Sequence, residues 1–179
     1  GNRDFYKRNK GNIFRRFFKE EEEDQTDLIP IVKATEYLAA NKIGGLIILA
    51  RESNPTMFVV GGQYLGAVIN SDLIISIFHK DSPLHDGAMI IHNQQIEMAQ
   101  CVLNVSENKN MPEGTGLRHR SALGIAEQTD AVAIVISEQT GSISLAHDGR
   151  LDYDLSTTNF ELELNRLMNQ SGKEKKEML

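Results

Sequence analysis

The sequence predicts a single α/β domain with a mixed central β-sheet that is flanked by helices on both faces. Short apolar runs bounded by glycine or polar turns, such as 45–50 (GLIILA) and 131–136 (AVAIVI), are typical of buried strands. Amphipathic helical patterns alternate with these runs, which favours parallel crossovers, whereas tight turns join other strand pairs, which favours antiparallel neighbours. A mixed sheet that is covered on both sides accounts for all three observations.

The first elements are predicted to be a helix and two strands. Apolar residues over 26–42 share one helical face, with Thr26 as the expected N-cap and two glycines just after the helix. The run 45–50 follows as the first strand. After a polar turn, the segment 57–60 (MFVV) is predicted as a second strand.

Asn70 or Ser71 is expected to cap a second helix that runs through His79. The last helix of the chain has Thr158 and Glu161 at the spacing of a capping box. The elements predicted between these helices are, in chain order, strand 88–92, turn 93–95, strand 96–105, helix 118–128, strand 131–136, strand 142–146 and turn 147–150.

The composition is that of one ordinary soluble domain: 179 residues, of which 40% are hydrophobic and 25% are charged. Cys101 is the single cysteine, which excludes a disulfide framework and favours an intracellular protein. Residues 1–20 carry seven Lys or Arg against two acidic residues, so the net charge of −6 divides into +5 there and −11 elsewhere. The acidic body argues against general nucleic-acid binding.

Three regions are distinguished along the chain: a linker at 1–25, a domain at 26–168 and a flexible tail at 169–179. In the linker, Ile and Phe residues at 13–18 surround two arginines. This pattern is consistent with a segment at a membrane surface, and equally with a solvated tail that packs on the domain. No run of about 18 apolar residues is present, so the sequence as given is not expected to span a membrane.

The stretch SPLHDGAMII, 82–91, places strongly polar groups at the mouth of an apolar strand. Asp86 could act as a general base or bind a metal, and His85 could be a metal ligand. Gly87 and Ala88 are small enough for backbone N–H groups to approach an anion closely. The alternative is an Asx turn, in which Asp86 bonds only within its own loop.

Two glycines, Gly114 and Gly116, precede the basic cluster Arg118, His119 and Arg120 at a predicted helix N-terminus. Cations oppose the helix dipole there, and a negatively charged ligand such as a polyphosphate would resolve the conflict. Because Arg118 and Arg120 are two residues apart, a regular helix cannot aim both at one ligand. One of them is therefore expected to serve the loop or a partner.

A third polar loop, 137–141 (SEQTG), follows the last long apolar run. Ser137 could bond to phosphate and Glu138 could bind a hard cation, although an ordinary polar hairpin turn explains the same residues. If the three loops converge at one end of the sheet, they supply the carboxylates, histidine, arginines and glycines of a metal–nucleotide site. His92 and His147 match no metal-ligand spacing and are interpreted as structural or exposed.

The motifs LHDGAMII, 84–91, and GLRHRSALGIAEQTDAVAIVISEQTG, 116–141, resemble those of diadenylate cyclase domains, whose marks are Asp-Gly-Ala and Arg-His-Arg. The segment 32–49 is similar to the start of that domain in membrane-anchored, single-domain cyclases, so the resemblance covers residues 26–168. It implies that two ATP molecules condense into cyclic di-AMP with release of two pyrophosphates, between two facing protomers. It further implies a homodimer at the cytoplasmic face of a bacterial membrane, anchored through N-terminal helices missing from this chain.

The resemblance also implies roles for individual residues. Asp86 would activate the ribose 3′-hydroxyl that attacks the α-phosphate of the ATP on the other protomer, and Arg118 would hold phosphates. His85 and Glu138 would bind Mn²⁺ or Mg²⁺, and the backbone of Leu103 would read adenine. The residues implied in catalysis are Asp86, Gly87, Ala88, Arg118, His119 and Arg120. Those implied in nucleotide binding are Leu84, Leu103, Gly116, Leu117, Ser137 and Glu138.

Three positions depart from the family pattern. Leu117 stands where these cyclases usually have Thr, Val102 where many have Tyr, and Gln139 where Glu is usual. Two other functions therefore stay open: a nucleotide-binding sensor without catalysis, and a metal-dependent phosphohydrolase suggested by His85 beside Asp86. The presence of Asp86 favours a cyclase over a sensor, and a strand context argues against phosphohydrolases that carry this pair in an all-helical fold.

Overall fold

The computed structural model describes residues 25–177, and the side chains of residues 25–170. Within this part, four α-helices, one short 3₁₀ helix and eight strands are present. The helices are α1 (Ile29–Ala40), α2 (Ser71–Phe78), α3 (Leu117–Gln128) and α4 (Thr157–Glu177), and the 3₁₀ helix is Pro55–Phe58. The strands are β1 (Gly45–Leu49), β2 (Val59–Val60), β3 (Gln63–Val68), β4 (Ala88–His92), β5 (Gln95–Leu103), β6 (Val132–Ile136), β7 (Ile143–His147) and β8 (Arg150–Leu155).

The strands form one sheet in the order β2-β5-β4-β1-β6-β7-β8, and β3 also pairs with β5. β1 and β4 run parallel, with Ile47 opposite Met89, whereas the other described pairs are antiparallel. The helix between β3 and β4 supplies the long crossover that a parallel pair needs. The predicted mixed sheet is therefore confirmed.

Helices cover both faces of the sheet, as predicted. Successive residues of β1 point to opposite faces, so Ile47 and Leu49 pack in one core while Leu46 and Ile48 pack in the other. The first core also receives α1, α2 and α4, and the second receives α3. All five β1 residues are buried, which explains why this strand is continuously apolar rather than alternating.

Two of the three predicted helix caps are wrong. Asn70 does cap α2, with its Oδ1 accepting the N–H of Leu73 at 3.1 Å. Thr26 does not cap α1, which begins three residues later, and Asp27 Oδ1 accepts the N–H of Ile29. At the last helix the cap is Ser156, since its Oγ accepts the N–H of Asn159 at 3.1 Å.

The first half of the expected strand 57–60 belongs to a turn of 3₁₀ helix, which begins where Asn54 accepts the N–H of Thr56. Only the last two residues of that segment pair, as β2. The edge strand β3 was not predicted, because Gly66 adopts φ +58° and a register irregularity breaks its alternation.

The strand β8 was not predicted either. The turn 147–150 was expected to lead directly to a helix, but it closes the β7–β8 hairpin. Asp148 and Gly149 both have positive φ at the tip of the turn, which suits a tight two-residue hairpin loop.

The predicted linker 1–25, including its Phe-rich part, lies outside the described residues except for its last position. Helix α4 continues through most of the segment 169–179 that was expected to form a tail. None of the helices among residues 25–177 combines the length and the apolar character that crossing a bilayer requires.

Candidate functional site

A cleft of about 840 Å³ opens where the predicted polar loops meet. The loop before β4, the loop before α3 and the loop after β6 all line it, together with the end of β5. The predicted site residues that line the cleft are His85, Asp86, Gly87, Leu103, Gly116, Leu117, Arg118, His119, Ser137 and Glu138. The structure thus brings together residues up to 53 positions apart along the chain.

The loop before β4 is held by close backbone packing on β5. Gly87 has φ +81°, and a Cβ added there would lie 2.7 Å from the carbonyl oxygen of Cys101. Gln100, also at positive φ, donates from its side chain to the carbonyl of Pro83, at a bulge in β5. This tether leaves the side chain of Asp86 83% exposed at the mouth of the cleft.

His85 is oriented as a metal ligand would be. Its Nδ1 lies 2.7 Å from the carbonyl oxygen of Ser82, which can only accept, so Nδ1 carries the hydrogen. The other ring nitrogen, Nε2, then offers a lone pair 3.3 Å from Asp86 Oδ1. An imidazole nitrogen and a carboxylate oxygen fixed in this way could hold a divalent cation.

The N-terminus of α3 is capped by a histidine from inside the helix. Gly116 occupies the N-cap position and has no side chain to bond the helix, but its own N–H donates to His119 Nδ1 at 3.0 Å. His119 is only 4% exposed. Burial, and secondarily the nearby Arg118 charge, lower the pKa of His119, which favours the neutral ring that can accept this bond.

Arg118 lies in the cleft and contacts two other elements. Its Nη1 is 3.6 Å from Glu138 Oε1 in the loop after β6. The guanidinium also rests on the backbone at the start of β1, where a Cβ added to Gly44 would lie 2.7 Å from Nη1 and 2.8 Å from Cζ. A guanidinium held at a helix N-terminus in this way presents donors toward an anion in the cleft.

Arg120 faces away from the cleft and serves the preceding loop. Its Nη1 donates to the carbonyl of Asn108 at 2.9 Å and lies 3.4 Å from the carbonyl of Ser106. One of the two arginines was expected to serve the loop, and it is this one. Leu84 and Ala88 do not line the cleft: Leu84 packs against the first core, and Ala88 is buried in the second.

The loop after β6 is a hydrogen-bonded turn. Ser137 Oγ accepts the N–H groups of Gln139 and Thr140, each at 3.3 Å. Its neighbour Glu138 is 59% exposed and pairs with Arg118. The Ser137 oxygen thus accepts hydrogen bonds within its own turn, and its hydroxyl hydrogen can still be donated to a ligand.

The ligand atoms of Glu138, His85 and Asp86 do not all lie within 4.8 Å of one another in one chain. Among the described residues, the one trio of such side chains with ligand atoms within 4.8 Å of one another is His147, Asp152 and Glu163. His147 is fully buried there, with Nδ1 2.8 Å from a carboxylate oxygen of Asp148 and Nε2 2.6 Å from one of Asp152. Because Asp148 and Asp152 already bond both ring nitrogens of His147, we interpret this cluster as a structural hydrogen-bond network and not as a metal site.

Sequence reasoning missed several residues that shape the cleft. Gly44 lies under the guanidinium of Arg118, and Gln100 tethers the loop of Asp86. Cys101 lines the cleft, and burial raises the pKa of its thiol to about 11, so it stays un-ionised. No local motif marks these positions, because each acts through a contact between distant segments; only the closely spaced glycines at 44 and 45 gave a signal.

All three departures from the family pattern line the cleft and are exposed. The side chain at Val102 is 62% exposed and that at Leu117 is 71% exposed. Gln139 also lines the cleft. The departures therefore lie where a ligand would be contacted.

The sequence is similar to proteins of known activity. The family model described as DAC, DisA bacterial checkpoint controller nucleotide-binding, matches residues 32–151. A diadenylate cyclase from Listeria monocytogenes is 42% identical over 160 residues, which cover 89% of this chain and 57% of that protein. The cyclic di-AMP synthase CdaA of Bacillus subtilis is 40% identical over 136 residues, covering 76% and 50%. The chain thus spans about half the length of these relatives.

Solved structures share the fold. The crystal structure of a double mutant of DacA from Staphylococcus aureus superposes with a TM-score of 0.75 at 36% identity, covering 84% of this chain and 98% of that one. A hypothetical membrane spanning protein from Bacillus cereus gives a TM-score of 0.70 at 34% identity, covering 73% and 65%.

Proposed function

Since the chain belongs to the diadenylate cyclase family, we propose that it condenses two ATP molecules into cyclic di-AMP and releases two pyrophosphates. The observation that carries the proposal is the pairing of two unlike groups in one cleft. An exposed carboxylate, Asp86, stands at the mouth, and a helix N-terminus with Arg118 lines the same space. Phosphoryl transfer needs these two elements: a group that accepts a proton from the nucleophile, and donors that stabilise phosphate charge.

In the proposed reaction, Asp86 accepts the proton of a ribose 3′-hydroxyl as its oxygen attacks the α-phosphate of the other ATP. The bond between the α-phosphate and the bridging oxygen breaks, and pyrophosphate leaves. A second, symmetric transfer closes the ring. Arg118 and the N–H groups at the start of α3 hold the phosphates, since the helix dipole and the guanidinium both favour anions there.

Gly87 and Leu103 both line the cleft, where the Gly87 backbone is proposed to lie along the nucleotide and the Leu103 backbone to read adenine. Leu117 contributes an N–H group at the start of α3, and Gly116, whose own N–H bonds to His119, gives the phosphates close access to the backbone there. The remaining members of the two motifs support these residues: Ala88 and Leu84 by packing, Arg120 by anchoring the loop 106–108.

The metal is proposed to bind at His85, which offers Nε2, with a carboxylate oxygen of Asp86 beside it. Manganese or magnesium bound there would polarise the reacting phosphate and lower the pKa of a coordinated hydroxyl. Glu138 joins this set only if it leaves Arg118, with which it pairs in the structure.

The active unit is proposed to be a homodimer with the two clefts facing each other. One ATP cannot supply both the hydroxyl and the phosphate in line, and a facing pair supplies them at high effective concentration. The large exposure of Asp86 suits a group that acts on a nucleotide held by a partner. We further propose that the protein acts at the cytoplasmic face of a bacterial membrane, to which the basic segment 1–20 is suited.

The test is to incubate the protein with ATP and Mn²⁺ or Mg²⁺ and to identify the nucleotides by chromatography with mass detection. We expect cyclic di-AMP, with a specific activity that rises with protein concentration. Asp86→Asn should lose product by at least about 100-fold while still binding ATP. Asp81→Asn, an exposed aspartate in the same loop that does not line the cleft, is the matched control.

Other outcomes assign other functions. ATP bound but unchanged with either metal would indicate a nucleotide sensor, the function that Leu117 and Gln139 keep open. Formation of ADP or AMP alone would indicate hydrolysis. Product formation by Asp86→Asn at the rate of the parent would remove this carboxylate from the role of base.

A further inference from the structure

Tyr153 on β8 packs behind the glycine loop that precedes α3. A Cβ added to Gly114 would lie 2.8 Å from Tyr153 Oη, so the phenol touches the loop backbone. Gly114 has φ +88°, a conformation that residues with side chains rarely adopt. The contact therefore joins the last strand of the sheet to the end of the loop before α3, where two of the three residues at 114–116 are glycines.

The same tyrosine supports the histidine that caps α3. The rings of Tyr153 and His119 pack edge to face, with centroids 5.7 Å apart and an interplanar angle of 63°. Because His119 Nδ1 accepts the N–H of Gly116, the neutral ring carries its hydrogen on Nε2. That buried Nε2 has no hydrogen-bond partner in the described structure. The tyrosine ring is thus a neighbour that fixes the imidazole plane at a site without a second hydrogen bond.

We infer that Tyr153 is a positioning residue for the nucleotide cleft, which fixes the 114–116 loop directly and through His119. This inference rests on the proposed function, because it concerns the loop that would hold the phosphates. Two of the three residues at 114–116 are glycines, whose backbone has more conformational freedom than that of other residues, so contacts from outside this segment help to restrict it. A loop that is ordered before the ligand arrives avoids the conformational entropy cost of ordering it on binding.

No sequence motif indicates this role for Tyr153. Tyr153 lies in β8, where charged residues alternate with other residues. It is 20 or more positions along the chain from every motif of the cleft except the loop after β6. It reaches the loop only because β8 pairs with β7 and thereby lies beside α3.

The test compares Tyr153→Leu, which removes the ring, with Tyr153→Phe, which removes only the hydroxyl at Gly114. The readouts are the Kd for α,β-methylene-ATP by calorimetry, the NMR signal of the Gly116 amide, and thermal unfolding. We expect weaker binding by about threefold for Phe and about tenfold for Leu, as for losses of supporting contacts around a binding residue. The Gly116 amide signal should shift in the same order.

Tyr64→Phe and Tyr64→Leu are matched controls, because Tyr64 lies 69% exposed on the edge strand β3. They should leave the Kd and the Gly116 signal unchanged. Unchanged values in both Tyr153 variants, with or without a lower melting temperature, would overturn the inference. If Tyr153→Leu does not fold, the Kd and the Gly116 amide signal of Tyr153→Phe alone test the inference.

The proposed function and this inference can fail separately. If the parent protein does not bind the analogue, the proposed nucleotide site is wrong. The Gly116 amide signal would still report whether Tyr153 fixes the loop, since it requires no ligand.

Discussion

Replacing Gly44 by alanine should disable the cleft without unfolding the protein. The methyl group would lie 2.7 Å from Arg118 Nη1 and 2.8 Å from Cζ. Non-bonded heavy atoms prefer about 3.5 Å or more, so the guanidinium must move by roughly 0.7 Å or rotate away. The contact involves the far end of a flexible side chain, and the fold can therefore accept the substitution.

The size of the effect follows from this displacement. Misplacing a positioning group by about 1 Å can cost about 100-fold in rate, so we expect kcat/KM for ATP to fall by about 10- to 100-fold. This corresponds to roughly 1.4–2.7 kcal/mol of transition-state stabilisation. The exposed pair of Arg118 with Glu138 contributes at most about 1 kcal/mol to stability, so Tm should fall by no more than about 4 °C.

The assay is steady-state formation of cyclic di-AMP, together with thermal unfolding. Gly45→Ala is the control, since its methyl would contact Phe78 at 3.4 Å and not the arginine. In a double-mutant cycle, Gly44→Ala should add nothing once Arg118 is already alanine. If Gly44→Ala keeps the kcat/KM of Gly45→Ala, or if its effect is undiminished in the Arg118→Ala background, the methyl group does not act by displacing the guanidinium.

Two further predictions concern α3. The pKa of His119 is lowered in the folded protein, so neutral His119 contributes its full stabilisation above the ordinary histidine pKa. This contribution to the free energy of unfolding is lost as the pH falls through the pKa of His119 in the folded state. In His119→Asn, the amide oxygen can accept the Gly116 N–H and does not titrate, so Tm should fall less between about pH 7 and 5 than in the parent protein. An unchanged dependence of Tm on pH would show that His119 does not stabilise the fold by capping α3. Gly124→Ala would place a methyl group 2.0 Å from the carbonyl oxygen of Asn104. Because this oxygen belongs to the backbone, it cannot move away as easily as the end of a side chain could. The substitution should lower the free energy of urea unfolding by at least about 2 kcal/mol, and a gain in stability, as helix propensity alone predicts, would refute the close approach.

The parts of the fold that the sequence predicted well are those with an unambiguous local signal. The apolar run of β1 and the Asn70 cap each combine a strong pattern with defined ends. The strand β8 was missed because its alternating charged residues follow a turn that was assigned to a strand–helix connection. The strand β3 was missed because Gly66 interrupts its period-2 pattern.

For the candidate site, the sequence identified most of the residues that line the cleft but not what holds them. Asp86 and Arg118 were predicted from their residue types at the start of a strand and of a helix, and from the motifs that resemble the family. The supports, such as Gly44 beneath the guanidinium and Tyr153 behind the loop, come from segments distant in sequence. Contacts of this kind depend on how the sheet pairs, and a linear pattern carries no information about them. The pairing of Glu138 with Arg118 was not predicted either, because the sequence suggested a cation as the partner of Glu138 and a phosphate as the partner of Arg118.

The position of β1 at the centre of the sheet also constrains how the chain can be made. β1 needs β4 on one side and β6 on the other, and the latter pairing joins Ile47 to Ile134. During synthesis, the backbone N–H and C=O groups on one edge of β1 therefore stay unpaired until some 85 further residues have been added. A fragment that stops before residue 132 would expose that edge and be prone to aggregate, so the domain cannot be divided at the end of α3 into two pieces that fold alone.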